Sequence, residues 1–180
     1  MTWNRIARRV RVPLGFLLAA VYLWLARPAL WSIAAGFVVS AAGLGIRAYA
    51  SGYVRKNEEL ATTGPYAYTR NPLYLGSIII AAGFALAARS WMIAAIFLLM
   101  FLAIYLPVIR GEEEFLRQRF PEFAEYERRV PRLIPRLSNS GGADGFFSWD
   151  LYRLHREYNA LAGTLAIVAV LAAKLWWLSR

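Results

Sequence analysis

The sequence has no cysteine and a single histidine, His155, and these two shortages exclude several kinds of site. Without cysteine there can be no disulfide, no thiolate metal ligand and no cysteine nucleophile. A histidine-rich zinc site would need partners that the chain lacks, and a histidine-based triad could use only His155. We therefore expect no metal site, and we interpret His155 as an interfacial residue rather than a catalytic one.

Acidic residues are also scarce, with 11 Asp and Glu against 21 Lys and Arg, which gives a net charge of +10. In a soluble protein this balance would suggest nucleic acid. Here 59% of the residues are hydrophobic, above the usual range of about 45–50%, and the basic residues flank long apolar runs. Anionic lipid headgroups are the simpler partner, so we expect no nucleic acid.

Five apolar runs predict an all-α integral membrane protein with about five transmembrane helices in one domain. The runs cover residues 12–26, 29–50, 72–88, 91–109 and 160–178. The first run follows four arginines and could be a signal peptide. However, no small-x-small cleavage site follows it, and Arg27-Pro28 leads directly into the second run. A turn between two membrane helices fits better.

The charges predict how these helices are oriented. With the N-terminus in the cytoplasm, all eleven acidic residues and most arginines fall on the cytoplasmic side, and only Arg27, Arg89 and Arg180 lie opposite. This satisfies the positive-inside rule and predicts a multi-pass protein of the cell (inner) membrane. Arg47 and Lys174 lie near span ends, where their side chains can snorkel to the interface.

The second run is rich in small residues, which predicts close helix packing in lipid. The spacings Gly36/Ser40 and Ala41/Gly45 each place two small residues on one helix face. Between the apolar runs lie polar stretches of three kinds. Residues 53–71 and 110–136 are cytoplasmic segments, 138–145 is a linker, and 146–159 is an amphipathic, aromatic segment at the membrane interface.

The first polar segment ends in the string Gly64–Gly76, GPYAYTRNPLYLG, which leads into a membrane helix. Pro72 suits the first turn of that helix, where free N–H groups and the positive end of the dipole are found. Arg70 and Asn71 add side-chain donors. The string is typical of a site for a carboxylate or a polar cofactor, and equally of a belt of tyrosine and arginine that anchors a helix at the headgroups.

The second polar segment carries Glu112, Glu113 and Glu114 directly after a membrane helix. Three adjacent acids near an anionic surface need partners. Glu113 and Glu114 could pair with Arg110 and Arg117 at helical spacings. Alternatively, one or two of the acids face inward and bind hydroxyls or a cation.

Taken in order, the two strings resemble the isoprenylcysteine carboxyl methyltransferase and phospholipid methyltransferase superfamily of membrane enzymes. The family pattern is Arg-His-Pro-x-Tyr-x-Gly, an apolar hairpin, a Glu-Glu pair and a Tyr-x-x-Arg-Val-Pro-like tail. This chain has RNPLYLG at Arg70–Gly76, Glu112-Glu113, and YERRVP from Tyr126 to Pro131. The resemblance covers about residues 53–135. Asn71 stands where many members have histidine, and neither the segment Trp149–Tyr158 nor the fifth span has a counterpart in the pattern.

The resemblance implies S-adenosylmethionine bound at the cytoplasmic side, between the loop before the third span and the segment after the fourth. Methyl transfer to a lipophilic acceptor would follow, either to an isoprenoid or prenylcysteine carboxylate or to a phospholipid amine. Arg129 would hold an acceptor carboxylate, with Glu113 as the second catalytic residue and Glu157 and Tyr158 at the acceptor entrance. The implied cofactor-binding residues are Gly64, Tyr66, Tyr68, Arg70, Asn71, Pro72, Tyr74, Gly76, Glu112, Glu113 and Tyr126.

Two other functions remain open from the sequence. A membrane reductase of the steroid-reductase-like type, which uses NADPH, would have similar helices and a cytoplasmic polar site. A non-catalytic membrane scaffold would need neither cofactor. Binding of S-adenosylmethionine or of NADPH distinguishes the two enzymes.

Overall fold

The computed structural model describes residues 17–55, 58–136 and 145–180, and within them every regular element is helical, as predicted. The helices are α1 (helical over 17–25), α2 (Leu30–Ser51), α3 (Pro72–Ala88), α4 (Trp91–Met100), α5 (Leu106–Arg119), α6 (Phe123–Arg129), α7 (Trp149–Leu154) and α8 (Tyr158–Leu178). A 3-10 turn lies at Gly64–Ala67 and a π-helical stretch at Phe101–Tyr105. The predicted linker, 138–145, lies outside the described residues except for Gly145.

Among the residues that the structure describes, three helices are long and apolar enough to cross a membrane: Leu30–Ser51, Trp91–Arg119 and Tyr158–Leu178. The apolar helix α3 has 17 residues, a length of about 26 Å against a hydrocarbon core of about 30 Å. The first predicted span, 12–26, begins outside the described residues. These findings support a multi-pass membrane protein, and the count of five spans stays a prediction.

The fourth predicted span, 91–109, is part of a longer helix that runs without a break from Trp91 to Arg119. The residues after Ile109 are mostly Glu, Arg, Leu and Gln, which favour helix. The helix ends at Arg119, because Phe120 precedes Pro121 and the residue before a proline disfavours helical backbone. The acidic residues after the membrane span therefore lie on the same rigid helix as the span itself.

Helices α3 and α4 form the tight hairpin that the Arg89-Ser90 pair predicts. Arg89 ends α3 with left-handed backbone (φ 52°), and the Ser90 hydroxyl accepts a hydrogen bond from the backbone N–H of Ile93. The hairpin places the start of α3 and the end of α5 on the same side of the membrane segment. The two polar strings can therefore meet.

Helices α2 and α3 pack closely through small residues, as predicted, but only one of the two predicted pairs takes part. A Cβ atom on Gly36 would lie 2.5 Å from the Gly83 carbonyl oxygen, and one on Gly43 would lie 2.6 Å from that of Gly76. The spacing that packs is thus Gly36, Ser40, Gly43, which follows one helix face. The pair Ala41/Gly45 is exposed and was the wrong choice, because it lies on a different side of α2.

The segment after residue 145 packs on the end of α2 before it enters α8. The Ser148 N–H donates to the Gly52 carbonyl at 2.9 Å, and His155 Nδ1 lies 3.2 Å from the Ser51 carbonyl oxygen. Farther along, Lys174 Nζ donates to the backbone carbonyls of Leu23 and Ala26 at the end of α1. Lys174 therefore caps a helix rather than snorkelling, since those carbonyls have no partner within α1.

Candidate functional site

The two polar strings are held side by side by backbone hydrogen bonds. The Arg70 N–H donates to the Pro131 carbonyl at 2.9 Å, and the Arg136 N–H donates to the Tyr68 carbonyl at 3.0 Å. The buried Thr69 hydroxyl donates to the Arg132 carbonyl at 3.1 Å. The stretch before α3 and the stretch after α6 therefore lie side by side and form one layer.

Glu113 lies at the centre of this layer and is almost fully buried, with 3% of its side chain exposed. Its Oε1 accepts a hydrogen bond from Asn71 Nδ2 at 3.0 Å and lies 3.2 Å from Arg70 Nη2. Its Oε2 accepts from Arg132, at 2.9 Å from Nε and 2.8 Å from Nη2. A buried carboxylate needs such partners, because desolvation of an unpaired charge costs several kcal/mol.

These contacts show that each interpretation of the acidic triplet holds for one acid, whereas binding of hydroxyls or a cation stays a prediction. Glu113 faces inward and contacts neither Arg110 nor Arg117, whereas Glu114 stays outside and pairs with Arg117 one helical turn away. Because successive helix residues point about 100° apart, the three acids leave α5 in different directions. Each acid therefore has different partners.

Arg70 extends the cluster to a second acid, Glu127. Its Nη1 lies 3.2 Å from Glu127 Oε2, and its guanidinium lies over the Phe123 ring at 5.9 Å from the centroid. Arg117 approaches the same carboxylate at 2.8 Å, and the hydrogen bond from Arg117 is the main reason why the pKa of Glu127 is lowered. The Arg70 Nε atom is buried and has no hydrogen-bond partner among the residues that the structure describes, so this donor is unused there.

Glu112 points to the other side of α5 and remains exposed. Its Oε1 accepts a hydrogen bond from the Tyr74 hydroxyl at 2.9 Å, and the Tyr74 ring meets the Tyr105 ring edge-on at 6.0 Å. Tyr105 ends the π-helical stretch, and Pro107 follows it in the first turn of α5. The wider turns of a π-helix leave room for a proline at this place in the helix. The result is an accessible carboxylate beside two tyrosine rings, a combination suited to a cationic or hydroxyl-bearing ligand.

Two further tyrosines of the strings are buried and neutral. The Tyr126 hydroxyl donates to the Tyr66 carbonyl at 2.7 Å, and burial is the largest cause that raises the pKa of both phenols. Nearby, Gly64 has left-handed backbone (φ 57°), and a Cβ there would lie 2.6 Å from the Tyr53 ring. Glycine is therefore required at this turn.

The remaining predicted residues are dispersed. Arg129 is exposed and pairs with Glu125 on the outside of α6, so it does not contact the Glu113 cluster. Tyr68 and Tyr158 are both exposed. Pro72 lies in the first turn of α3 as predicted, and Gly76 lies in the contact with α2.

Three residues that sequence reasoning missed are central to the arrangement: Arg132 and Glu127, which complete the cluster, and Arg47. Arg47 binds Glu157 through a two-point ion pair, with 2.9 Å from Nε and 2.8 Å from Nη2, instead of snorkelling. An arginine inside an apolar run is itself a signal, because charged residues there usually face a partner within the protein. No comparable signal marks Arg132, which follows a run of arginines.

Comparison with known proteins covers much of this region. The family model described as PEMT, phospholipid methyltransferase, matches residues 10–122. The chain is 46% identical over 90 residues to the cobalt-zinc-cadmium resistance protein CzcN of Cupriavidus metallidurans and to the nickel-cobalt-cadmium resistance protein NccN of Alcaligenes xylosoxydans xylosoxydans. Each alignment covers 50% of this chain and 41% of the relative. The chain thus spans about two fifths of the length of these relatives. No solved structure matches.

Proposed function

The chain belongs to the phospholipid methyltransferase family, and we propose that it transfers a methyl group from S-adenosylmethionine to a lipophilic acceptor at the cytoplasmic face of the membrane. The observation that carries this proposal is the Glu113 cluster. It joins the string Arg70–Gly76 to α5 and to the stretch after Val130 through three side chains on one buried carboxylate. The strings that carry the family resemblance thus lie together in the structure although they are distant in sequence.

For the cofactor we propose two kinds of contact. Glu112, accessible beside Tyr74 and Tyr105, suits the ribose hydroxyls or amino group and the sulfonium. The first turn of α3, at the positive end of the helix dipole, suits the carboxylate. When bound, the cofactor supplies the methyl group, whose bond to sulfur breaks as the bond to the acceptor forms. Glu113 is saturated with donors, so we propose that it positions the strings and contacts no reacting atom.

For the acceptor we propose a site that opens toward lipid. A carboxylate or an unprotonated amine is already nucleophilic, so the protein has to orient the acceptor and exclude water. Glu157 and Tyr158, at the start of α8, remain our candidates for its entrance. Arg129 is exposed and pairs with Glu125, so it would act only from the surface of the protein, by contacting an acceptor headgroup.

Binding of the cofactor tests the proposal, and neighbouring acids provide a matched control. We expect the purified full-length chain in detergent to bind S-adenosylmethionine or its demethylated product by calorimetry. Glu112→Gln should weaken that binding about tenfold, the effect of one charge-assisted contact. Glu114→Gln, the same change two residues away, should leave it within twofold. Saturable NADPH binding with no S-adenosylmethionine binding would favour the reductase and refute the proposal.

The acceptor can then be identified by its product. The chain is incubated with methyl-labelled cofactor and a bacterial total lipid extract, and the labelled lipid is isolated. A label released by mild base indicates a methyl ester, and a stable label on a headgroup indicates an N-methyl amine. A scaffold predicts no labelled lipid with any acceptor.

We propose further that the polar segments face the cytoplasm, and the absence of native cysteine makes labelling of introduced cysteines specific. Glu58→Cys should react with an impermeant thiol reagent only after the cells are permeabilised. Arg89→Cys, in the turn between α3 and α4, should react in intact cells. The reverse pattern would overturn the orientation.

A second candidate function is a part in resistance to cobalt, zinc, cadmium or nickel, which the names of the relatives favour. Within the described residues no group of three or more His, Asp or Glu side chains could hold a metal ion. We therefore propose that any such role acts through a methylated membrane component. Expression of the wild type should raise metal tolerance in a sensitive strain, and Glu112→Gln should abolish the gain. Equal protection by the variant would separate resistance from methyl transfer.

A further inference from the structure

A partly buried ion pair connects the start of α8 to the end of α2. Arg47, near the end of α2, meets the Glu157 carboxylate with two nitrogens, Nε at 2.9 Å and Nη2 at 2.8 Å. The two side chains are 23% and 10% exposed. A fork of this kind fixes orientation as well as distance, because a planar guanidinium matches a carboxylate only in one arrangement.

The third nitrogen of Arg47 reaches the first turns of α3, which carry the string of the proposed site. Nη1 donates to the Leu73 carbonyl at 3.1 Å and to the Ser77 hydroxyl at 2.6 Å. Gly76 makes this path possible, because a Cβ atom there would lie 2.6 Å from Arg47 Cγ. One guanidinium therefore bridges α3 and α8.

The same pair lies close enough to the proposed site to act on Tyr66 electrostatically. Burial is the main cause that raises the pKa of Tyr66, the charge of Glu157 adds to the rise, and the charge of Arg47 opposes it. Glu112 contributes in the same direction as Glu157. Glu157 at the start of α8 and Glu112 on α5 therefore both act electrostatically on one buried tyrosine.

The attachment of α8 differs from that of α3. Helix α3 is packed along α2 through Gly43 and Gly83, where backbone touches backbone. Most side chains of α8 are exposed, and only 11% of its apolar stretch is buried inside the protein. Its polar anchors in the described residues are Glu157 at the start and Lys174 near the end. Loss of the charge on Glu157 would therefore release the start of α8 and leave α3 in place.

We propose that Arg47 and Glu157 are positioning residues that fix the start of α8 against the core, so that this helix forms the acceptor-side wall of the site. The segment that begins at residue 145 lies beyond the family match, which ends at residue 122. Under this proposal the segment nevertheless contributes to the site. This inference rests on the proposed methyl transfer. It assigns the cofactor side to α3 and α5, and the acceptor side to α8.

The assignment predicts that the two substrates respond differently to the loss of the ion pair. Glu157→Gln keeps the shape of the side chain and removes the charge, so the start of α8 is released. We expect the KM for the acceptor lipids to rise about tenfold, the effect of one charge-assisted contact. The Kd for S-adenosylmethionine should stay within twofold, because α3 remains packed on α2.

The experiment measures both constants on the purified full-length chain. Tritiated S-adenosylmethionine and a concentration series of bacterial total lipid extract in mixed micelles give the KM, and calorimetry gives the Kd. Lys174→Gln is the matched control, since it also removes a charged anchor of α8 but lies 17 residues along the helix, about 25 Å from the site. We expect it to leave both constants within twofold.

Arg47→Lys provides a second variant in case Glu157→Gln does not fold. It keeps the positive charge near Leu73 and Ser77 but cannot form the fork, and the same rise in KM is expected. Equal weakening of acceptor and cofactor, an unchanged KM, or failure of both variants to fold would overturn the inference. Absence of methyl transfer by the wild type would overturn the proposed function with it, whereas normal transfer with an unchanged KM in the variants overturns this inference alone.

Discussion

Alanine in place of Gly43 should separate α2 from α3, whereas alanine in place of Gly45 on the same helix should not. A Cβ atom at Gly43 would lie 2.6 Å from the Gly76 carbonyl oxygen and 2.9 Å from the backbone nitrogen of Ile80. Both are backbone atoms, so neither can move without shifting α3. At Gly45 no heavy atom of the described part of the chain lies within 4 Å of the added atom.

The two variants share one favourable term, which makes their difference informative. Alanine is more favourable than glycine in a helix interior by about 0.8–1 kcal/mol, and this gain applies at both positions. Overpacking adds a cost of about 1–3 kcal/mol, and this cost applies only at Gly43. We therefore expect Gly45→Ala to be slightly more stable than the wild type, and Gly43→Ala to be about 2 kcal/mol less stable than Gly45→Ala.

Unfolding by SDS in mild detergent micelles, followed by tryptophan fluorescence, measures this difference. Because Gly43 faces Gly76, which closes the string Arg70–Gly76, Gly43→Ala should also weaken binding of S-adenosylmethionine. Gly45→Ala should not. Equal stability of the two variants would refute the close contact between α2 and α3, and a less stable Gly45→Ala would reverse the proposed face.

Three further predictions concern the charged cluster. Glu113→Gln leaves Arg70 and Arg132 without their shared charge and should destabilise the protein by about 2–4 kcal/mol in the same SDS assay; a loss below 0.5 kcal/mol, the usual limit for a surface change, would contradict its burial. Arg132→Ala should reduce methyl transfer by more than tenfold and Arg129→Ala by less than threefold, since an exposed pair is worth about 0.2–1 kcal/mol; the opposite ranking of initial rates would restore Arg129 as the functional arginine. Glu127 has a lowered pKa in the folded protein, so its stabilising contribution is complete at neutral pH and is lost as the pH falls below about 4.3 through the folded value; thermal melts between pH 3 and 7 should show this loss in the wild type and less of it in Glu127→Gln.

Much of the fold follows from the sequence because membrane insertion imposes strong patterns. Apolar runs predicted the helices from Leu30 onward, and Arg89-Ser90 predicted the hairpin turn, which the structure confirms. Family membership, predicted from residues 53–135, is confirmed by the match over residues 10–122. The end of the long helix was predicted less well, because a change in polarity marks where a helix leaves the membrane and not where it ends.

The composition of the site was harder to predict because it depends on helix rotation. The triplet Glu112–Glu114 gives no indication of which acid faces inward. That choice follows from how α5 is turned relative to Asn71, which lies 42 residues away, and Arg132, which lies 19 residues away. The sequence predicted the two strings, which lie side by side in the structure, but it did not name Arg132, which contacts Glu113. A role for Arg129 stays a prediction. Arg47 and Glu157 are 110 residues apart, and no local pattern relates them.

Asn71, which stands where many family members have histidine, can be understood from its contacts. Its amide donates to Glu113 Oε1 at 3.0 Å and to the Arg132 carbonyl at 3.1 Å. An imidazole could donate to both acceptors only when protonated, whereas an amide does so at every pH. The position thus serves to hold Glu113 and passes no proton. Under the proposed mechanism the acceptor must then arrive with a free electron pair, as a carboxylate does, or lose its proton elsewhere.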